Sequence, residues 1–266
     1  MPSRQEDKAE AFAGLHEGEP FLIPNPWDAG SARVLEALGF RALATTSSGF
    51  AFTLGRLDGA TTIDEMAAHV AAIDAAGSLP VSVDLENGYG AEPEAAARAV
   101  GRAAEAGAVG GSIEDYGPEG RIYELAHAIE RIEAAAERAQ ALGFPFMLTA
   151  RAENLIRGNP DLGDTIARLQ AYERAGADVL YAPGLRTVDD VHAVCEAVSK
   201  PVNVLAWPGL TFREVTEVGA QRVSVGGGLT WVAVKALADA AEALRDEGDF
   251  DVLSARVPLE AWFGGA

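Results

Sequence analysis

Two carboxylates close an apolar run in the segment Pro80-Val81-Ser82-Val83-Asp84-Leu85-Glu86. An apolar run between a proline and a glycine-rich turn is typical of a buried strand. Because side chains alternate along a strand, Asp84 and Glu86 point to the same side, where like charges repel unless a cation or solvent separates them. A hard dication such as Mg²⁺ suits these oxygen ligands. The alternative is that both acids lie in a solvated loop, where one of them caps the next helix.

Further polar residues follow other apolar runs. Acids occur in Glu114-Asp115, an arginine and an acid in Arg151-Ala152-Glu153, and small hydroxyl groups in Thr45-Thr46-Ser47-Ser48. Carboxylates opposite an arginine suit a metal-bound organic acid, because the metal takes oxygen ligands and the guanidinium pairs with a carboxylate. Asn203 belongs to a seventh run, and strand register decides whether its side chain points inward.

One unit recurs along the chain: an alanine-rich helix, a glycine and a short apolar run. The glycines stand where a helix C-cap needs left-handed backbone, and they are Gly39, Gly107, Gly143, Gly176 and Gly219. The expected strands are residues 21–25, 42–47, 81–85, 109–114, 146–151, 179–182, 202–206 and 222–225. Helices are predicted between them, for example at 64–76, 93–106 and 123–142.

Eight strands alternating with helices predict an α/β fold, a (β/α)8 TIM barrel. Residues 1–20 are expected to form an extra N-terminal helix. No linker divides the chain, so residues 1–266 are interpreted as a single barrel domain. In such a barrel the carboxyl ends of the strands share one face, which brings the polar residues described above together.

Composition and charge exclude several partners and locations. The 40 acidic against 21 basic residues give a net charge of −19, which argues against nucleic acid and anionic membranes. We expect no secretory signal and no membrane span, because no apolar run has the required length. The single cysteine suits a reducing compartment, and the expected location is cytoplasmic.

Three kinds of catalytic chemistry are also disfavoured. All four histidines fall in predicted helices, which argues against a His-ligated zinc site. The lysines lie on helices or, for Lys200, at the wrong end of a strand, so a Schiff-base amine is not evident. Cys195 lies within a predicted helix, where a cysteine is usually core filler rather than a nucleophile.

In order and spacing, these motifs resemble the isocitrate lyase/phosphoenolpyruvate mutase superfamily over nearly the whole chain. The resemblance rests on Asn25-Pro26-Trp27-Asp28-Ala29-Gly30-Ser31-Ala32-Arg33, Thr46-Ser47-Ser48-Gly49, Gly55-Arg56-Leu57-Asp58, Asp84-Leu85-Glu86-Asn87-Gly88-Tyr89-Gly90, Gly111-Ser112-Ile113-Glu114-Asp115 and Thr149-Ala150-Arg151-Ala152-Glu153. The usual strand-three signature is D-x-D-x-G-Y-G. In this chain the second acid is Glu86, which has a longer side chain.

The resemblance implies an Mg²⁺-dependent lyase that binds a 2-oxo acid, of the oxaloacetate or 2-oxoglutarate kind, and cleaves a carbon–carbon bond through an enolate. It assigns the metal to Asp84, Glu86 and Glu114, largely through waters. It assigns catalytic roles to Asp58, Arg151 and Glu114. The substrate is expected to contact Ser48, Gly49, Phe50, Arg151 and Asn203.

The loop after the fourth strand departs from the family pattern. Lyase members carry a cysteine there and mutases a longer lid with lysine and asparagine, whereas residues 115–123 have neither cysteine nor lysine. This disfavours isocitrate or methylisocitrate cleavage as well as mutase activity, and leaves carbon–carbon cleavage of a simpler oxo diacid, such as decarboxylation or hydrolysis of an oxaloacetate-like substrate. Tyr116 and Arg121 are candidate lid groups.

Three alternatives stay open at this point. One is a phosphorus–carbon bond enzyme of the phosphonopyruvate hydrolase or phosphoenolpyruvate mutase type. Another is a phosphate-handling barrel, because Trp207-Pro208-Gly209 and Gly226-Gly227-Gly228 follow the last two strands, where many barrels bind phosphate. The third is a protein that binds a 2-oxo acid without turning it over. Family members exchange a C-terminal helix between subunits, so a homo-oligomer, a dimer or tetramer, is also expected.

Overall fold

A computed structural model of the protein describes residues 4–264. It contains eight parallel strands, which are β1 (Phe21–Ile23), β2 (Leu43–Ala44), β3 (Val81–Asp84), β4 (Gly110–Glu114), β5 (Met147–Arg151), β6 (Val179–Tyr181), β7 (Val202–Leu205) and β8 (Arg222–Ser224). The helices are α1 (Gln5–Leu15), α2 (Ala29–Ala37), α3 (Ser47–Thr53), α4 (Ile63–Ala76), α5 (Pro93–Glu105), α6 (Leu125–Gln140), α7 (Leu162–Arg174), α8 (Val188–Ala197), α9 (Phe212–Glu217), α10 (Gly228–Asp246) and α11 (Leu259–Phe263).

The strands form one sheet in the order β1-β8-β7-β6-β5-β4-β3-β2. At the seam between β1 and β2, the Ala44 N–H donates to the Pro24 carbonyl over 3.0 Å, which nearly closes the sheet. Helices flank the sheet, so the predicted (β/α)8 barrel is confirmed. The expected N-terminal helix is present as α1, which spans Gln5–Leu15 of the predicted residues 1–20, and residues 1–3 lie outside the described part of the chain. Phe12 on α1 packs with Phe21 and Val109 of the barrel.

Local backbone and capping contacts set the helix boundaries. All five glycines at the predicted joints have positive φ, between 80° and 112°. At the start of α4, Thr62 and Glu65 form a reciprocal capping box, and α5 begins at Pro93. These contacts satisfy backbone N–H groups that the first turn of a helix leaves without a partner.

The second strand is shorter than predicted. It ends at Ala44, and Ser47 begins the short helix α3 rather than ending a strand. The reason is local capping: the Thr46 side chain accepts the Gly49 N–H over 3.4 Å, as an N-cap residue does. The hydroxyl-rich segment therefore enters the barrel mouth as a helix N-terminus.

Helix α10 makes little contact with its own barrel. Thr230 is its only buried residue over 19 positions, while Val232 and Leu237 are 68% and 66% exposed. The tail beyond α10 returns to the barrel, because α11 packs on α2 and Arg33 donates to the Phe263 carbonyl over 2.6 Å. Among residues 4–264, no helix combines the length and apolar character needed to cross a membrane.

Candidate active site

Arg151 lies among three carboxylates at the barrel mouth. Its Nη1 is 3.5 Å from Glu114 Oε2 and 3.8 Å from Asp84 Oδ1, and its Nε pairs with Glu153 Oε1. Strand register explains the meeting, since Glu114 on β4 aligns with Arg151 on β5, and Asp84 on β3 aligns with Ser112 on β4. Residues that are distant in sequence therefore form one ion-pair cluster.

Glu86 lies beside this cluster on a constrained turn. Its φ is +50°, a left-handed conformation that costs energy for a residue with a side chain. The Glu86 N–H donates to Asp84 Oδ1 over 3.2 Å, and Thr61 donates to Glu86 Oε1 over 3.0 Å. Burial, followed by the field of Asp84, raises the pKa of Glu86 to about 7. The turn thus places the Glu86 carboxyl within the field of Asp84, although Glu86 lies beyond the end of β3 and not on the strand from which the sequence argued.

The pKa of Glu114 is also raised. Burial is the main cause, and the nearby Glu153 and Asp84 carboxylates act in the same direction against the attraction of Arg151. Arg157 opposes the shift as well, so the carboxyl groups of Asp84, Glu86, Glu114 and Glu153 share two arginines. This excess of acidic groups favours binding of an additional cation.

Two adjoining cavities open on this cluster, and Arg151 lines both. The larger has a volume of about 800 Å³ and is lined by Ser47, Asp58, Glu86 and Glu114, together with Tyr116 of the loop after β4. The smaller, of about 60 Å³, lies inside the barrel. The larger cavity falls in the range that holds small-molecule ligands.

The predicted substrate contacts on α3, whose roles stay predictions, lie beside the cavities. Gly49 is buried, and a Cβ at this position would lie 2.6 Å from the Thr230 hydroxyl. Phe50 stacks on His69 with ring centroids 3.9 Å apart, and the Ser48 hydroxyl is 3.1 Å from that of Thr46. None of Ser48, Gly49 and Phe50 lines either cavity.

The neighbouring Thr46 and Ser47 supply the cavity surface of this segment instead. Thr46 lines the smaller cavity and Ser47 the larger. The Ser47 N–H also donates to Asp84 Oδ2 over 3.2 Å. Sequence reasoning did not assign these two residues to the cavity, because the direction of a side chain depends on the helical phase of α3.

Asn203 points into the barrel, where it is 1% exposed and lines the smaller cavity. Its Nδ2 donates to Ser224 over 3.0 Å and its Oδ1 accepts from Arg222 Nε over 2.8 Å. Arg222 was not predicted to lie here. Burial lowers its pKa to about 10, and its side chain contacts the neutral groups of Asn203, His16 and Thr149. An inward-facing arginine in a short apolar strand was the sequence signal that could have identified it.

Asp58 is exposed on the loop after α3 and lines the larger cavity, which brings it to the same mouth as Glu86. Of the two candidate lid groups, Tyr116 lines that cavity. Arg121 instead forms an exposed ion pair with Glu119. The structure also bears on the phosphate-handling alternative. Asn25 Oδ1 accepts the N–H groups of Val225 and Gly226, each over 2.9 Å, so these two backbone donors are not available to a phosphate.

The donor set suits one kind of metal ion. Within residues 4–264 no three His, Cys, Asp or Glu side chains converge closely enough to enclose an ion, and Arg151 lies between Asp84 and Glu114. A dication that keeps most of its water shell, as Mg²⁺ does, needs only one or two direct carboxylates. Asp84 and Glu86, which lie near enough for the field of Asp84 to raise the pKa of Glu86, fit that requirement.

A family model described as phosphoenolpyruvate phosphomutase matches residues 12–245. The chain belongs to the isocitrate lyase/phosphoenolpyruvate mutase superfamily. Among superfamily relatives, an oxaloacetate decarboxylase of Bradyrhizobium sp. (strain BTAi1) is 30% identical over 228 residues, which cover 82% of this chain and 77% of that protein. An uncharacterized protein of Mycobacterium tuberculosis (strain H37Rv) is 35% identical over 232 residues, 87% of each chain.

A solved structure from Burkholderia cenocepacia J2315, described as a candidate lyase/mutase, has a TM-score of 0.95 and 50% identity, and the match covers 98% of each chain. The resemblance drawn from the ordered motifs is therefore confirmed at the level of the superfamily. The same superfamily includes both lyases and mutases by name, so the type of bond cleaved is a separate question.

Proposed function

We propose that this protein is an Mg²⁺-dependent lyase that binds a 2-oxo acid resembling oxaloacetate and cleaves a carbon–carbon bond next to the oxo group. The observation that carries the proposal is that Asp84 and Glu114 each lie within 3.8 Å of Arg151, which lines an 800 Å³ cavity together with Glu114. Similarity to an oxaloacetate decarboxylase supports the substrate class.

Asp84 and Glu86 would hold the metal, and Glu114 would order its waters. When bound, Mg²⁺ supplies a Lewis acid that stabilises negative charge developing on the oxo oxygen. The arginine acts at the same atoms: Arg151, held by Glu153, pairs with the substrate carboxylate and favours the enolate as the bond breaks. Tyr116 and the turn at Glu86 form part of the cavity wall beside these groups.

The direct test is turnover of oxaloacetate with and without Mg²⁺, with pyruvate and carbon dioxide measured as products and corrected for the metal-only reaction. The expected result is metal-dependent turnover that stops after chelation and returns when Mg²⁺ is added. Full activity in a thoroughly chelated sample contradicts the proposal. Binding of a 2-oxo acid without product across a panel of oxo acids would instead indicate a binding protein.

A second candidate is a phosphorus–carbon bond enzyme, which the description of the matching family model favours. The loop after β4 argues against it, because residues 115–123 offer no lysine for a transferring phosphoryl group. Release of inorganic phosphate or rearrangement of phosphonopyruvate, measured beside the oxaloacetate assay on the same preparation, separates the two candidates.

A further inference from the structure

A second arginine lies in the wall of the larger cavity, next to Arg151. Arg157 lies just beyond the short 3₁₀ turn that follows β5, and it lines the same cavity as Glu114 and Arg151. Its Nε donates to Glu153 Oε2 over 2.9 Å, while Arg151 Nε pairs with Oε1 of the same carboxylate. One buried carboxylate therefore holds two guanidinium groups side by side.

The position of Arg157 is fixed from two directions. Glu153 holds its Nε edge, and the ring of Tyr116 lies 4.0 Å from its guanidinium carbon in a cation–π contact. Glu153 itself is completely buried, and its own N–H donates to Asp115 Oδ1 over 2.8 Å. Arg157 is thus held in place before any ligand binds, unlike a mobile surface arginine.

The outer edge of Arg157 remains available. Within residues 4–264 its two Nη nitrogens make no hydrogen bond, and the side chain is 35% exposed where it faces the cavity. A guanidinium fixed at Nε presents its Nη pair as a fork that matches a carboxylate. Arg151, by contrast, directs Nη1 at Asp84 and Glu114. The two arginines therefore serve different parts of the cavity.

We infer that Arg157 is the receptor for the distal carboxylate of the oxaloacetate-like substrate, and hence the residue that distinguishes a short diacid from a 2-oxo monoacid. This inference rests on the proposed function, which places the oxo-acid end of the substrate at Arg151 and the metal. The diacid spans the cavity from Arg151 to Arg157, and Tyr116 covers the distal end. Arg157, which is not one of the proposed metal ligands, therefore determines which substrates bind.

Calorimetric binding with Mg²⁺ present tests this with a matched pair of ligands that lack a cleavable oxo acid. Malate and 2-hydroxybutyrate differ only in a distal carboxylate against a methyl group, and oxalate has no distal arm. The wild-type protein should bind malate more tightly than 2-hydroxybutyrate. Replacing Arg157 by Gln should weaken malate binding by about 10- to 100-fold and leave 2-hydroxybutyrate and oxalate unchanged.

Two further variants separate this role from folding and from net charge. Arg157→Lys keeps a cation next to Glu153 but loses the forked donor, so malate should still bind more weakly than to the wild type while thermal stability is preserved. Arg213→Leu removes the same unit of charge from an 84% exposed side chain on α9, and it should not change the ratio of malate to 2-hydroxybutyrate affinity.

Two results with Arg157→Gln overturn the inference: an equal decrease in affinity for malate, 2-hydroxybutyrate and oxalate, or an unchanged affinity for malate. So does a wild-type protein that does not distinguish malate from 2-hydroxybutyrate. If oxalate binds in an Mg²⁺-dependent way in these cases, the proposed lyase site stands and only the diacid receptor fails. If oxalate does not bind at all, the proposed function fails together with the inference.

Discussion

Arg151 and Glu153, two residues apart at the end of β5, form an ion pair whose carboxylate is completely buried. The Arg151 side chain is 17% exposed and lines the cavity. Because Glu153 holds its Nε, the ion pair sets the direction of the Arg151 guanidinium. Removing one partner of a buried ion pair is costly, because the remaining charge stays desolvated. The pair therefore links stability to the geometry of the active site.

Replacing Glu153 by Gln should destabilise the fold by about 3 kcal/mol, because two guanidinium groups lose their shared carboxylate. It should also weaken Mg²⁺-dependent oxalate binding, since Arg151 is no longer held. Chemical denaturation and calorimetry measure the two effects. Glu119→Gln, which removes an exposed partner of Arg121, is the matched control and should change stability by less than about 0.5 kcal/mol. Unchanged oxalate affinity in Glu153→Gln would contradict the positioning role.

Replacing Asp84 by Asn should lower kcat/KM for metal-dependent turnover by at least about a hundredfold, because a neutral amide holds a dication poorly. The amide oxygen still accepts one of the N–H groups of Ser47 and Glu86, so the fold should persist. Steady-state kinetics across a range of Mg²⁺ concentrations gives the measurement. Wild-type activity of this variant in saturating Mg²⁺ would remove Asp84 from the metal site.

Replacing Gly49 by Ala should destabilise the protein by about 1–3 kcal/mol through overpacking, because the new Cβ would lie 2.6 Å from Thr230 Oγ1 and 2.7 Å from Thr46 Cγ2. Gly14 on α1 provides a matched comparison. It has open space around a Cβ, so Gly14→Ala should stabilise the protein by about 0.5–1 kcal/mol. Denaturation midpoints compare the two variants. A neutral Gly49→Ala would show that the position is looser than the packing indicates.

His69 makes stability sensitive to acid. Burial lowers its pKa from 6.5 to about 4, with Asp28 opposing, and within residues 4–264 its Nε2 has no hydrogen-bond partner. Between pH 6.5 and 4 the unfolded chain therefore binds more protons at this position, and stability falls as pH falls, by about 3 kcal/mol in total. His69→Phe should lose less stability than the wild type across this window. Parallel curves in urea denaturation at a series of pH values would contradict this assignment.

The exposed apolar residues of α10 suit a second copy of this chain, so we expect a homodimer or tetramer in solution. Light scattering of the wild type should give a mass that is a multiple of 27.7 kDa. A variant carrying both Val232→Glu and Leu237→Glu should shift towards the monomer, because burying an unpaired charge in an interface is unfavourable. A monomeric wild type at micromolar concentration would exclude this arrangement.

Local signals in the sequence were sufficient for the architecture. Alternating helices and apolar runs, with glycines such as Gly107 and Gly219 at the joints, predicted the barrel because backbone conformation at these positions is decided by neighbouring residues. The polar residues at the strand ends followed from the same reasoning. Parallel strands place Asp84, Glu114 and Arg151 on one face, and the structure brings them together.

The tertiary structure decided which of these side chains face the cavity and which are buried behind it. The helical phase of α3 turns Gly49 and Phe50 into the interior and leaves Thr46 and Ser47 at the cavity. Packing of α1 under the barrel places His16 beside Arg222. The course of the chain after β5 places Arg157 beside Arg151 on the Glu153 carboxylate. Each outcome depends on contacts between residues far apart in the chain, where direction and burial are set by long-range packing rather than by local propensity.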